Sequence, residues 1–267
     1  MKALLRNLRR GLFLLIPGLL LLALMGCNRD KRESPQTQPT QQAKREVSGE
    51  VFIVLKSHET LKFSLVQVAL IDAAVAAAQF DTLRTQTNVY ISGLTNLVQA
   101  DSGLRPITES WSDLIPAVSL TLGKAQTEYD SAKSLFWAAY NVQMENAPNR
   151  RGIGRDDPRW SVAQAKADEA AKIVAKSGKA MDALRARLER LEPADQAFQR
   201  LLRQALVSEA TTDSDGKFQM TVPVSGKFYL WATVTREVGD KNELYVWLVP
   251  LTNEMAQKVM LSNNNAR

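Results

Sequence analysis

Residues 208–236 read SEATTDSDGKFQMTVPVSGKFYLWATVTR, and their reading decides the fold. Asp213-Ser214-Asp215-Gly216 is a turn signal, because short Asp side chains bond their own backbone and Gly accepts a positive φ. Thr-rich and Phe-containing runs flank it and predict a β-hairpin. Ser225-Gly226 marks the next turn. Residues 227–236 (KFYLWATVTR) and 243–251 (ELYVWLVPL) predict two strong strands, and 257–262 (QKVMLS) a last short one. Tyr229, Trp231, Tyr245 and Trp247 alternate with Leu230, Ala232, Leu244, Val246 and Leu248 along the two strong strands. With both faces apolar, both must be covered. One should face a sandwich core and the other the base of neighbouring helices; a carbohydrate-stacking aromatic face is the sharper alternative.

Two further strands are predicted far upstream, at 48–56 (SGEVFIVLK) and 61–71 (LKFSLVQVALI), joined by the polar turn Ser57-His58-Glu59-Thr60. Between the two β blocks the period changes from two to alternating steps of three and four. One stripe runs Ala76, Phe80, Leu83, Thr87, Tyr90, Leu94, Leu97. A second runs Val118, Leu122, Ala125, Tyr129, Ala132, Phe136, Ala139. A third runs from Trp160 through Ala163, Ala167, Ala170, Val174, Ser177 and Met181 to Leu191. These spacings predict three helices, with alanine-rich seams that permit close approach. Asp72 is a candidate cap for the first, and Asp157-Pro158 a start signal for the third. The third stripe keeps phase beyond Pro193 to Phe198, Leu202 and Ala205, so that helix either bends at Pro193 or ends there. The helices near 112–145 and 158–191 should form an antiparallel hairpin with its bend at 146–157; two such narrow seams hide little surface alone, so the helix of 73–99, or a second subunit, should pack alongside.

The 267 residues carry a formal net charge of +6, with one His and one Cys. A single Cys excludes an intramolecular disulfide and a Cys-based zinc site, and a single His excludes multi-histidine metal sites. The positive charge is not on the part expected to fold: residues 1–26 hold +4 and 28–47 hold +2, which leaves 48–267 neutral. A nucleic-acid binder should carry its basic excess on the folded domain, whereas a basic N-terminal edge suits a membrane surface. Lys2, Arg6, Arg9 and Arg10 precede a Leu-rich apolar run of 16 residues, Gly11–Gly26. That is short for a spanning helix, which needs about 20 residues, and has the order of a secretory signal. It ends Leu24-Met25-Gly26-Cys27, which resembles a bacterial lipobox, with Met25 larger than usual. The resemblance implies cleavage after Gly26 and lipidation of Cys27. Residues 28–47, rich in Gln, Thr, Pro and Ser, read as a flexible tether.

Thr211-Thr212-Asp213-Ser214-Asp215-Gly216-Lys217-Phe218, followed by Gly226-Lys227-Phe228-Tyr229, resembles the carboxypeptidase-regulatory-like and transthyretin-like β-sandwich modules. Gly49-Glu50-Val51 and the run to Val68 and Leu70 are similar to their opening strands. The resemblance implies an Ig-like fold and a binding or structural role, and carries over no catalytic residue. The long helical insert departs from it. A second resemblance, to periplasmic adaptors of efflux and secretion pumps, rests on a helical hairpin set in a small β domain, but the glycine-punctuated half-motifs of those adaptors are missing.

No P-loop, G-x-S-x-G or H-E-x-x-H motif occurs in the sequence. Read as a calcium loop, 211–222 would have Thr211 first and Val222 last, so both key ligands fail. His58-Glu59 reads as a solvated turn and Gly152-Ile153-Gly154 as the hairpin bend. Arg150, Arg151 and Arg155 cluster there, partly offset by Asp156 and Asp157, as a candidate partner contact. The expected architecture is α+β: signal peptide 1–26; lipidated Cys27 and tether 27–47; an Ig-like antiparallel sandwich from 48–71 plus 208–262; an antiparallel, coiled-coil-like helical insertion at 72–207; and a polar tail at 263–267. The expected function is a non-enzymatic structural or interaction role in the bacterial cell envelope. Its partners are membrane lipid through Cys27 and a protein, or a second copy, through the insertion. No cofactor, metal or nucleic acid is expected. The alternative is an adaptor-like component of an efflux or secretion system.

Overall fold

Among the described residues, eight strands and four long helices form an α+β fold in which every strand lies before or after the helices. The structure is a computed structural model; it describes residues 43–86, 88–102, 106–239, 241–252 and 257–266. The signal peptide, the cleavage position Gly26, the lipidated Cys27 and the tether up to residue 42 lie outside the described residues. The order is β1 (Lys44–Val54), β2 (Thr60–Lys62), β3 (Gln67–Asp72), α1 (Ala73–Gln86), α2 (Asn88–Ser102), α3 (Trp111–Asn146), α4 (Arg159–Gln204), β4 (Leu206–Thr211), β5 (Lys217–Pro223), β6 (Phe228–Val238), β7 (Lys241–Pro250) and β8 (Gln257–Leu261).

The strands make two four-stranded sheets. In one, β1 is central, with β2 and β5 antiparallel to it and β8 parallel; the other has the order β4-β3-β6-β7, antiparallel throughout. Alternation along β1 and β5 sends Val47, Val51, Ile53, Phe218, Met220 and Val222 inward to meet Val68, Leu70, Leu230 and Trp247. This is the sandwich core. Gly49 lies inside it, where a Cβ would stand 2.4 Å from the Val259 carbonyl oxygen and 2.3 Å from the Phe218 ring. A second core forms where α1–α4 cover the outer face of β6 and β7, around Phe80, Ile115, Leu191, Phe198, Trp231 and Val246.

Several expectations change. The stretch 61–71 is two strands in different sheets, because Leu65 takes a left-handed conformation (φ 59°) and turns the chain across. Asp213–Gly216 is likewise a crossing and not a hairpin, since β4 pairs with β3 and β5 with β1. The two crossings are tied together by Thr212. Its backbone N–H and carbonyl bond Val66 and Leu65; its buried hydroxyl accepts the Val66 N–H at 2.9 Å and donates to the Phe63 carbonyl at 2.8 Å. The tether ends earlier than residue 47. Lys44–Glu50 pairs with Lys217–Pro223, Val47 is fully buried, and Arg45 reaches inward to donate to the Thr252 carbonyl at 2.7 Å. The tail is also not free: Asn263 bonds both the N–H and the carbonyl of Val54, and Ala266 bridges to Trp247.

Asp72 caps α1, its carboxylate accepting the N–H groups of Ala74 and Val75. The first stripe becomes two helices, α1 and α2. The last helix runs unbroken through Pro193 to Gln204, well past residue 191. Proline removes one backbone bond, but Leu191, Ala194, Phe198, Leu201 and Leu202 are all buried around it, and this packing outweighs the loss.

The β6–β7 register corrects the aromatic face. Trp231 stands opposite Leu248, and Trp247 opposite Ala232. Tyr229 and Trp231 therefore join the helix-side core, whereas Tyr245 and Trp247 join the sandwich core. Trp247 is fully buried and donates its ring N–H to the Ser262 carbonyl. The four rings do not make one exposed platform.

Candidate functional site

The helical hairpin is the element that the rest of the fold positions. The alanine-rich seam, with Ala125, Ala139, Ala163, Ala167 and Ala170 buried, lets α3 and α4 run close together. At its base, Trp111 packs edge-on against Tyr229, with ring centroids 4.9 Å apart, so α3 begins beside the start of β6. It then crosses the sheet to the start of β7, where Thr127 bonds the Asn242 carbonyl at 3.4 Å. From Thr127 to Asn146 the helix continues for about 28 Å at 1.5 Å per residue, past the end of the sheet. Strand β1 enters at the other end of the sandwich: Lys44 pairs with Pro223, and the short link from Pro223 leads to Phe228 at the start of β6. The hairpin therefore projects from the end opposite the one where β1 begins.

Three polar contacts brace the base. Asp101 on α2 pairs with Arg187 on α4 and, at 3.2 Å, with Lys124 on α3. Burial pushes its carboxyl upward, but the bonds from Arg187 and Lys124 outweigh that and hold it below the usual range. Ser119 on α3 donates to the Asp195 carboxylate on α4.

Beyond the base, neither hydrophobic core contains any residue between 131 and 179. This distal half nevertheless exposes large apolar side chains: Leu135 at 53%, Trp137 at 51%, Val142 at 44%, Val162 at 59% and Ile173 at 37% of their surface. Leu135, Ala138, Val142, Lys166, Glu169 and Ile173 line a groove of about 390 Å³ along one flank. Phe136, Trp137 and Tyr140 cluster on α3, the Phe136 and Tyr140 rings stacked with 6.2 Å between centroids. Sequence reading missed this flank because it followed the seam; the apolar residues one step off the stripe were the available signal. A second cleft, of about 450 Å³, lies where Gly123, Lys124 and Thr127 meet Asn242 and Leu244.

The expected contact residues Arg150, Arg151 and Arg155 stand exposed in the bend. Arg151 is used locally, its Nε donating to the Glu145 carbonyl at 2.6 Å and closing the end of α3. Asp157 does not offset Arg155. It accepts the backbone N–H of Arg159 and pairs with that guanidinium at 2.6 Å, and these bonds hold its carboxyl down to about 2. His58 and Glu59 form a surface turn, with Ser57 donating to Glu59. The Asp213 carboxylate accepts the N–H groups of Asp215 and Lys217, so it is a turn-former. Among the described residues no group of three or more His, Cys, Asp or Glu could hold a metal ion, and no helix is long and apolar enough to cross a membrane.

No protein-family model matches the chain, and no curated protein matches it. Among solved structures, it is similar to a candidate carbohydrate binding protein from Pseudomonas aeruginosa at 13% identity, covering 84% of this chain and 90% of the other, with a TM-score of 0.29. It is also similar to the pilus backbone of Streptococcus pneumoniae in two structures, at 10% and 11% identity, covering 81% and 82% of this chain, with TM-scores of 0.21 and 0.20. The chain spans 40% and 30% of those two pilus structures. Scores this low carry nothing about the function of this chain.

Proposed function

We propose that the chain is a lipid-anchored lipoprotein of the bacterial cell envelope with a non-enzymatic interaction role, in which the sandwich is the mount and the hairpin the contact arm. One observation supports it above all. Residues 131–179 belong to neither core, yet they present an exposed apolar flank and a basic tip at the end opposite the entry of β1. A fold gains no stability from exposed apolar surface of this extent, and such patches are kept for contact. Lipidation of Cys27 after cleavage at Gly26, together with a tether that ends before Ala43, whose carbonyl already accepts the Val224 N–H, would hold the mount near the membrane and leave the arm free to reach a partner.

The test is capture of envelope proteins by the intact lipoprotein, compared with Arg150→Ala/Arg155→Ala, which leaves the Arg151 bond to Glu145 in place. The expected result is loss of partners at low salt with the helical signal unchanged, since exposed charges act over about 10 Å at 0.1 M salt. Capture of the same partners at the same salt sensitivity would remove the tip from the proposal. Mass spectrometry of the mature chain checks the anchor separately: an N-terminus at Met1 with an unmodified Cys27 contradicts it.

A further inference from the structure

The groove on the hairpin flank has a self-complementary sequence, and from it we infer that its occupant is the same groove of a second copy, packed antiparallel. This rests on the reading of the hairpin as a contact arm, but not on the membrane anchor. On α4 the exposed residues Lys166, Glu169 and Ile173 line the groove, and Val162 and Ala165 line the adjoining cleft that shares Lys166 and Glu169. A two-fold axis passing between residues 167 and 168 sets Val162 of one copy against Ile173 of the other and Lys166 against Glu169, each contact occurring twice. Apolar meets apolar and cation meets anion at these four central positions; at the next position outward Arg159, whose charge is held by Asp157, faces Lys176. On α3, Leu135 and Val142 straddle Ala138 and Ala139 in the same groove and close its other wall with apolar surface. Neither Lys166 nor Glu169 enters an ion pair among the described residues, so both charges are available to the second copy.

The rest of the molecule leaves room for this pairing. The second copy's α4 would begin at its Arg159, opposite Lys176. That is about 13 Å, at 1.5 Å per residue, short of Arg185, whose bond to Tyr129 marks the level at which the hairpin leaves the sheets. The bend of each copy therefore fits between the groove and the mount of the other. The two β1 starts lie at opposite ends of the pair.

Charge reversal, read by analytical ultracentrifugation of the full chain in detergent, tests the arrangement. In Lys166→Glu every copy sets a new glutamate against Glu169 of its mate, and in Glu169→Lys every copy sets a new lysine against Lys166. Each variant alone should dissociate about tenfold more readily than the parent, about 1.4 kcal/mol, the scale of two exposed ion pairs replaced by like charges. An equimolar mixture of the two variants should regain the parent's dimer. At one contact the new glutamate of the first variant meets the new lysine of the second. At the other, Glu169 of the first meets Lys166 of the second. Restoration by mixing cannot arise within one helix, since each variant keeps its own like-charged pair. Mixing that restores nothing, or a parent chain that stays monomeric at tens of micromolar, overturns the proposal and assigns the groove to a different partner. If the parent is monomeric yet the Arg150 and Arg155 variant still loses its partners, only the self-pairing fails and the contact-arm reading stands.

Discussion

Thr212 joins the two halves of the sandwich through one side chain. Its hydroxyl satisfies the Val66 N–H and the Phe63 carbonyl at the point where both crossings leave one sheet for the other. Thr212→Val keeps the shape and strands both backbone groups in a buried place, which should cost about 2–3 kcal/mol. Urea unfolding checks this as a lower midpoint with an unchanged slope. Asp101 offers a second residue-scale test. Its folded carboxyl is depressed by Arg187 and Lys124, so the stability it contributes is present above the ordinary carboxylate range and is lost as pH falls through the folded value. Asp157, held at about 2 by Arg159, follows the same sign at the start of α4. Melting temperature should therefore fall between about pH 5 and pH 2, and Asp101→Asn should flatten part of that fall. At neutral pH, Asp101→Asn leaves Arg187 largely buried without its partner and should cost about 2–3 kcal/mol, somewhat below a fully buried pair. An unchanged melting curve would show that the three helices are held by apolar packing alone.

At the scale of elements, what was legible followed from period. Ala125, Ala139, Ala163, Ala167 and Ala170 are buried where the three-and-four spacing placed them, with Tyr129, Ala132 and Phe136 half-buried between the first two, and Asp72 caps α1 as its position before an alanine-rich run implies. Strands whose period is two were found, but not their partners. Period says that 61–71 alternates; it does not say that Leu65 turns the chain between sheets, because an exposed leucine with positive φ has no local signature. Lys44-Arg45-Glu46 looked like tether for the same reason: the inward residue of that strand end is an arginine whose stem is covered and whose head finds a carbonyl across the fold. The aromatic pairs on β6 and β7 were visible, but which face each ring takes depends on register, and a register one residue different would have put all four on one side. The narrow seams implied that the hairpin leaves surface uncovered, but the stripe did not say which residues beside it stay exposed.

For the whole molecule, the division of labour between mount and arm is a statement about cooperativity. Both cores are built from residues outside 131–179, and the base of the hairpin is pinned by Trp111 on Tyr229, Thr127 on Asn242 and the Asp101 cluster. The distal arm adds a two-helix seam of alanines, which buries little apolar area per residue. It should therefore be dispensable for folding and required for contact. The direct test replaces residues 131–179 with a short Gly/Ser turn and measures thermal unfolding together with sedimentation and partner capture. The expected outcome is a soluble chain with an intact β signal, a cooperative melt within a few degrees of the parent, and loss of both dimer and partners. A shortened chain that unfolds without cooperativity, or that keeps its dimer and its partners, would contradict the division into mount and arm.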